Sequence, residues 1–270
     1  MQTITAQTFD IDYMDTLAGG DTALHRLDAR AKLLVTLLFI VCVVSFNRYE
    51  ISRLMPFFLY PVFLIAAGEL PAGYLLRKVL AVAPFAFFVG VFNPFLDRAA
   101  LFHLGPLAVS GGMASFLSIL IRFLLTVTAA LALVALTGVN GICAALESLG
   151  APKVFAVQLL FLNRYITVLA GEAERIARAR ALRSFSNSEM PAAVFARLAG
   201  QLLLRAYSRA ERIYNAMLCR GFDGRLPLPR KAVLGGKDIV FTAAWAALFA
   251  FFRVVDIPQF FGGLLTGLLK

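Results

Sequence analysis

The sequence predicts an all-α fold: a polytopic membrane helix bundle of about five spans, with two long helices on the cytoplasmic side. Three observations lead to this prediction. Hydrophobic residues make up 60% of the 270-residue chain and charged residues only 16%, whereas soluble domains are about 25% charged. The mean hydropathy is +0.79. Long apolar runs alternate with short charged turns, and half of the Lys and Arg residues fall in one C-terminal segment.

The N-terminal part is predicted to form four membrane spans. The first is preceded by Arg26, Arg30 and Lys32, and Asp28 is a possible helix cap. Because cations favour the cytoplasmic side, we place the N-terminus inside the cell. Several runs are shorter than the ~20 residues of a perpendicular span, and prolines interrupt some of them. The four runs are 33–46, 54–67, 79–96 and 113–136.

Arg122 is the one full charge inside a long predicted span. Intramembrane charges often mark function, so a place on a substrate path is one interpretation. The other is a structural ion pair or a snorkelling side chain. The sequence favours the structural interpretation and leaves the partner open.

The segment 171–237 holds 13 of the 26 Lys and Arg residues against 5 acids, a net +8 of the chain's +10. The positive-inside rule therefore places it in the cytoplasm. Four crossings from an inside N-terminus return the chain to the inside, so we predict that 154–170 does not cross the membrane. It is instead expected to be the buried first half of a long helix, which begins near Pro152 and runs towards Phe185. A second long helix runs from about Pro191 to Arg220.

The predicted division has three parts. A membrane domain (1–150) is followed by a cytoplasmic helical region (151–237) and a C-terminal membrane span (238–270). The span itself is the run 239–252, with a short apolar coda at 260–269. Five crossings are predicted, with six as the alternative.

The basic segment contains an internal repeat. Residues 173–185 read AERIARARALRSF and residues 210–222 read AERIYNAMLCRGF, an offset of 37 residues with seven of thirteen positions identical. Both copies fit A-E-R-I-x-x-A-x-x-x-R-x-F and both end a predicted helix. The shared terminal Arg, small residue and Phe make chance repetition a poor explanation.

Each copy places an arginine on a stiff helix end. Ala179 and Arg183 are four residues apart, as are Ala216 and Arg220, so each pair shares a helix face. A cation is favoured in the last turn of a helix. Gly221 can adopt the left-handed conformation that closes a helix, and Phe222 can fold back against it. The arrangement suits bidentate binding of carboxylates.

Two other interpretations of this charge are weaker. Anionic lipid attracts scattered cations and does not require the same face-matched arginine twice. Nucleic-acid binding lacks an accompanying aromatic or glycine-rich pattern, so no nucleic-acid partner is predicted.

Enzyme chemistry is not predicted for this chain. An intramembrane enzyme using Arg122 with an acid such as Asp97 would need a nucleophile, paired carboxylates or a metal cluster, and none is apparent. No P-loop sequence is present, so ATP would have to be bound by another chain. A self-contained secondary transporter would be expected to carry an inverted repeat across its spans. The repeat found in this sequence lies in the basic segment instead. The cysteines and histidines are too scattered for a metal site: Cys42, Cys143, Cys219, His25 and His103.

At these residues the sequence resembles the transmembrane T component of energy-coupling factor (ECF) transporters. The strongest marks are the two Ala-Arg-Gly-type motifs, within Ala179–Ser184 and Ala216–Gly221. Leu182 and Cys219 stand where the family motif has alanine, and Ser184 where it usually has glycine. The stretch from Leu24 to Leu34 resembles the family's entry to its first span. The opening of the chain is most similar to the cobalt-transport branch, CbiQ.

The resemblance implies a coupling subunit of an ATP-driven importer in the cytoplasmic membrane, with no cofactor of its own. Its partners would be ABC-type ATPase subunits, a substrate-binding membrane subunit and the lipid bilayer. Arg183 and Arg220 would be the tips of the coupling helices that dock on the ATPases. Ser184 and Gly221 would end those helices, and Ala179 and Ala216 would permit close packing one turn earlier. Cobalt is the expected cargo; nickel, a vitamin, or a stand-alone protein with a lipid-binding helix pair are the alternatives.

Overall fold

The structure is a computed structural model and describes residues 13–47, 49–92, 100–104, 107–183, 191–224 and 235–255. Within these ranges the chain is predominantly α-helical, which confirms the predicted fold class. The helices are α1 (Ala29–Val44), α2 (Leu59–Ala67), α3 (Ala72–Val91), α4 (Gly111–Ser148), α5 (Lys153–Arg183), α6 (Ala192–Cys219) and α7 (Gly236–Val254).

Each predicted apolar run of the N-terminal part overlaps helical structure, and residues 93–96 of the third run lie outside the described residues. The second run begins with a 3₁₀ helix, Ser52–Phe58, which contains Pro56 and leads directly into α2. Proline has no backbone N–H to donate, which favours such a short, tighter turn over a regular α-helix. The coda at 260–269 lies outside the described residues.

A short hairpin interrupts the helical order between α3 and α4. Strand β1 (Ala100–Leu104) pairs antiparallel with β2 (Leu107–Ser110), between the third and fourth predicted apolar runs. The helical periodicity of apolar residues in the flanking segments does not reveal so short a pair of strands.

Within the part of the chain that the structure describes, three helices are long and apolar enough to cross a membrane: α3, α4 and α5. A shorter apolar helical stretch covers Ser52–Ala67. This finding supports a multi-pass membrane protein, while the count of five crossings stays a prediction.

The chain divides into two compact units. One unit comprises Leu17–Gly138 and Ala232–Lys270 and is named the α1–α7 unit after its first and last helices. The other comprises Met1–Thr16 and Val139–Lys231 and is named the α5–α6 unit. The boundary falls where α4 is interrupted, because Gly138 has φ +67° and ψ 160°. Glycine tolerates this positive φ since it has no Cβ. The predicted three-part division stays a prediction.

An aromatic cluster forms the core of the α1–α7 unit. The ring of Tyr60 lies 4.7 Å from Phe39 and 4.9 Å from Trp245, measured between centroids. Phe249 of α7 lies 5.5 Å from Phe39. Tilted and edge-on aromatic pairs are worth about 0.5–1.5 kcal/mol beyond their buried area. The Tyr60 hydroxyl is satisfied by Thr36, 2.7 Å away, so this cluster fastens α7 to α1 and α2.

The prediction that 154–170 is a buried helix half is wrong for this chain. The helix itself is as expected, since α5 begins one residue after Pro152 and ends at Arg183. Its apolar side chains are exposed, however: Val154 is 69% exposed and Leu162 62%. Helix α5 packs against α6, yet among the described residues these apolar side chains remain largely uncovered.

Candidate functional site

A carboxylate on α5 joins this helix to α6. Both of its arginine partners lie on α6. Glu172 of α5 accepts from Arg205 Nη1 at 3.3 Å through Oε1 and pairs with Arg209 Nη2 at 3.3 Å through Oε2. The Glu172 side chain is only 12% exposed. A second acid on α5, Glu174, pairs instead along its own helix with Arg178 at 2.7 Å.

An apolar groove of about 650 Å³ runs between the same two helices. Its α5 wall includes Phe161 and Leu169, and its α6 wall includes Leu203 and Ile213. The rings of Phe161 and Tyr165 stack with centroids 6.0 Å apart. Arg209 lies at the edge of this groove, with its charge turned to Glu172. The groove therefore presents hydrocarbon and aromatic surface.

The end of α6 has the cap geometry that the repeat predicts. Gly221 has φ +78°, its N–H donates to the carbonyl of Leu218, and the Phe222 N–H donates to the carbonyl of Met217, both at 3.0 Å. These two bonds form a Schellman motif, which satisfies carbonyls left free at a helix end. Phe222 and Met217 line the same groove. The apolar pair that accompanies the motif is therefore present.

Arg220 occupies the C-cap of α6 in this motif. Its side chain and that of Ala216, one turn earlier, are exposed. Fixed by the glycine behind it, Arg220 is held on a helix end whose backbone has little freedom. Arg220 therefore lies at the end of α6, while its role as a docking tip stays a prediction.

The first copy ends α5. Arg183 is the last residue of that helix, and both Arg183 and Ala179 are exposed. Ser184 lies outside the described residues, so the cap of this end has no structural account. The described part of the copy thus places the arginine as predicted.

Both tip arginines are available to a partner. Among the described residues, neither the Arg183 nor the Arg220 side chain makes a hydrogen bond or ion pair, whereas the side chains of Arg178, Arg205 and Arg209 do. An exposed guanidinium retains all five donors and can bind a carboxylate with two parallel bonds. The two ends therefore form a pair of cationic sites suited to acidic grooves on another protein.

Arg122 has a structural partner. Its Nη2 donates to the backbone carbonyl of Asn47 at 2.6 Å, which joins α4 to the end of the α1 region. This bond supports the structural interpretation over a substrate path. Asp97, the acid considered as its catalytic partner, lies outside the described residues. In the described ranges, no group of three or more His, Cys, Asp and Glu residues could hold a metal ion.

Sequence reasoning missed a buried polar network at the start of α1. Asp28 caps α1 by accepting from the Arg30 N–H at 2.9 Å, as expected. Its own N–H donates to Asp238 of α7 at 2.8 Å, and Lys32 Nζ donates to the carbonyl of Leu136 at 3.0 Å. The sequence gives one signal for this network: its charged residues stand beside apolar runs that otherwise contain few charges.

A comparison with protein families decides the identity of this architecture. Residues 20–230 match the family model CbiQ, described as "Cobalt transport protein". The chain belongs to the CbiQ family. The match includes both copies of the repeat and the helices that carry them.

Curated relatives of this CbiQ-family chain are named "Energy-coupling factor transporter transmembrane protein EcfT". The protein of Bacillus subtilis (strain 168) is 27% identical over 256 residues, which cover 87% of this chain and 95% of the relative. That of Heliobacterium modesticaldum is 29% identical over 252 residues, which cover 85% and 91%. A third, from Ruminiclostridium cellulolyticum, is 26% identical over 220 residues, which cover 76% and 81%.

These findings confirm the resemblance seen in the sequence. The CbiQ-family chain is a transmembrane component of an ECF transporter and a multi-pass protein of the cell membrane. Its family is one of membrane transport components rather than of enzymes.

Proposed function

We propose that this chain couples ATPase motion to import: its α5 and α6 ends bind two ABC-type ATPase subunits, and a separate membrane subunit binds the substrate. The observation that carries the proposal is the pair of exposed arginines, Arg183 and Arg220, at equivalent positions of a repeat that ends both helices. Neither guanidinium has a partner among the described residues, and Arg220 stands at the Schellman cap of α6. A carboxylate groove on each ATPase would match this chemistry.

The proposed site consists of two triplets. Arg183 and Arg220 would form the charged contacts, and Ser184 and Gly221 are the residues that follow them in the two copies of the repeat. Ala179 and Ala216 leave room for a partner one turn earlier, since an exposed alanine adds little bulk to the face. ATP would be bound by the ATPases and no cofactor by this chain.

The test reverses the charge of both tips. Arg183→Glu with Arg220→Glu should abolish co-purification of the ATPase subunits with the tagged chain, while membrane insertion is retained. Losing an arginine paired with a carboxylate at an interface costs about 2–5 kcal/mol, so each single change should measurably weaken assembly.

The chain offers a matched control for this test. Arg175 and Arg212 are equivalent positions of the same repeat, eight residues before each tip, and both are exposed. Arg175→Glu with Arg212→Glu changes the net charge identically on the same helices. Co-purification should survive in this control; equal loss in both variants would mean that general basicity, as in lipid attraction, is responsible.

The proposed cargo is the cobalt ion. The support is the description of the family, and nickel or a vitamin are the alternatives. Uptake of labelled Co²⁺, Ni²⁺ and a vitamin by proteoliposomes holding the intact transporter distinguishes them. ATP-dependent accumulation of Co²⁺ alone is expected, and preference for either competitor would reassign the cargo.

A further inference from the structure

Glu172 is the one described acid on α5 that binds across to α6. We propose that it is a positioning residue, which sets the angle between the two helices and thereby the separation of the arginine tips. The inference rests on the function proposed above. Its basis is the pair of 3.3 Å contacts from one carboxylate to Arg205 and Arg209.

This contact joins equivalent positions of the repeat and lies at the same distance from each tip arginine. Glu172 and Arg209 are 37 residues apart, the offset of the repeat, so they are equivalent positions just before the two copies. Glu172 precedes Arg183 by 11 residues, and Arg209 precedes Arg220 by 11 residues. At 1.5 Å per residue, both tips lie about 16 Å along their helices from the contact.

Because each tip lies about 16 Å from the contact, the separation of the tips depends on the angle between the helices at that point. A change of 10° in the angle between the helices would move one tip by about 3 Å relative to the other helix at that distance. A bidentate site must be held to within about 0.5 Å and 10–20°. A contact that fixes the angle is therefore needed for both arginines to meet rigid partner sites together.

Burial makes Glu172 better suited to this role than a surface ion pair. The carboxylate is 12% exposed and both of its oxygens are engaged, whereas typical exposed pairs contribute little. The arginines are 58% and 35% exposed. They can be solvated when the acid is removed, so the helices should still form and only their angle should loosen.

The experiment measures the distance between the tips in the full chain. Leu182 and Cys219 are equivalent positions beside the two tip arginines, and Cys219 is a free, exposed cysteine. Leu182→Cys, with Cys42→Ala and Cys143→Ala, leaves two thiols for spin labels in the detergent-solubilised protein. Glu172→Gln should broaden the distance distribution between the labels, by up to about 3 Å for each 10° of freedom gained between the helices.

Two further variants separate positioning from simple damage. Glu174→Gln removes an acid two residues away that pairs only within α5, and it should leave the distribution unchanged. Exchanging the pair, Glu172→Arg with Arg209→Glu, should restore a narrow distribution. An unchanged distribution in Glu172→Gln, or equal broadening in Glu174→Gln, would overturn the assignment, as would failure of the exchange to restore it.

The functional consequence is read in the intact transporter. Transport per ATP hydrolysed should fall by about tenfold in Glu172→Gln while ATPase subunits still co-purify, because a misplaced group loses productive geometry before it loses binding. Unchanged transport per ATP despite a broadened distribution would overturn the positioning role. Failure of the tip arginines to bind ATPases would appear separately, in the charge-reversal variants, and would leave the distance measurement intact.

Discussion

Lys32 of α1 reaches the backbone carbonyl of Leu136 in α4, with Nζ 3.0 Å from the oxygen, two residues before Gly138 interrupts that helix. The interruption leaves carbonyls of the preceding turn without their usual intrahelical donors. A cation is favoured at such a helix end. The ammonium of Lys32, only 3% exposed, thus stabilises the break in α4 from a helix 104 residues away in sequence.

Replacing Lys32 by Met should destabilise the chain. The substitution keeps the aliphatic stem but leaves a buried carbonyl without this donor, which costs about 1–3 kcal/mol. We expect a lower midpoint in thermal unfolding of the detergent-solubilised protein. Arg26→Met is the control, because its pair with Asp21 is largely exposed and such pairs contribute little. Equal midpoints for the two variants would contradict the role of Lys32.

Contacts of this kind mark the limit of what the sequence could predict. The cap of α6 was predictable because its determinants, Met217 to Phe222, are consecutive residues with a known local geometry. The Lys32–Leu136 bond depends on how two distant helices pack, and its acceptor is a backbone atom that no residue type reveals. The same is true of the carbonyl of Asn47 that binds Arg122.

Replacing two glycines by alanine, one inside α6 and one just after its end, should change stability in opposite directions. Gly221 has φ +78°, and an added Cβ would meet nothing within 4 Å, so only backbone strain opposes it. That strain is about 1–2 kcal/mol for an L-residue. Gly200 lies inside the helix, also with open space around an added Cβ, and Gly200→Ala should stabilise the helix by about 0.5–1 kcal/mol.

Denaturation of the two variants with helicity as the readout checks this prediction. Gly221→Ala should unfold earlier than the parent protein and Gly200→Ala later. Gly221→Ala should also weaken ATPase co-purification, since Arg220 would lose its fixed cap. Shifts of the same sign in both variants would mean that the Schellman geometry does not hold the end of α6.

Asp238 should be a second stability determinant of the α1–α7 unit. Its carboxylate accepts from the Asp28 N–H at 2.8 Å and from the Gly235 N–H at 2.9 Å, and the residue is 7% exposed. Asp238→Ala would leave both donors unsatisfied at a cost of about 1–3 kcal/mol for each buried group. The thermal midpoint should fall well below that of Lys237→Ala, an exposed neighbour; similar midpoints would count against the network.

The apolar half of α5 shows a different limit. The count of four preceding spans and the positive-inside rule place this apolar segment in the cytoplasm, which predicts that it is buried within the protein. In the structure the groove and the exposed residues around it remain uncovered within the chain. Sequence composition reports that a surface is apolar but not whether the same chain covers it.

The stability of the chain should fall on acidification through His25. Burial lowers the pKa of His25 below its usual 6.5, and Lys32 adds to this, while a bond to the Leu17 carbonyl and the charges of Asp21 and Glu69 act the other way. Nε2 lies 3.0 Å from that carbonyl and so donates to it, which leaves Nδ1 to accept from Thr22 Oγ1 at 2.7 Å.

A histidine with a lowered folded pKa binds fewer protons when folded than when unfolded, so its contribution to stability rises with pH. That contribution is fully present above pH 6.5 and is lost as the pH falls through the lowered pKa of the folded state. Thermal midpoints measured from pH 8 to pH 5 should therefore decrease more steeply for the parent protein than for His25→Gln, which cannot titrate. Parallel decreases would show that other groups are responsible.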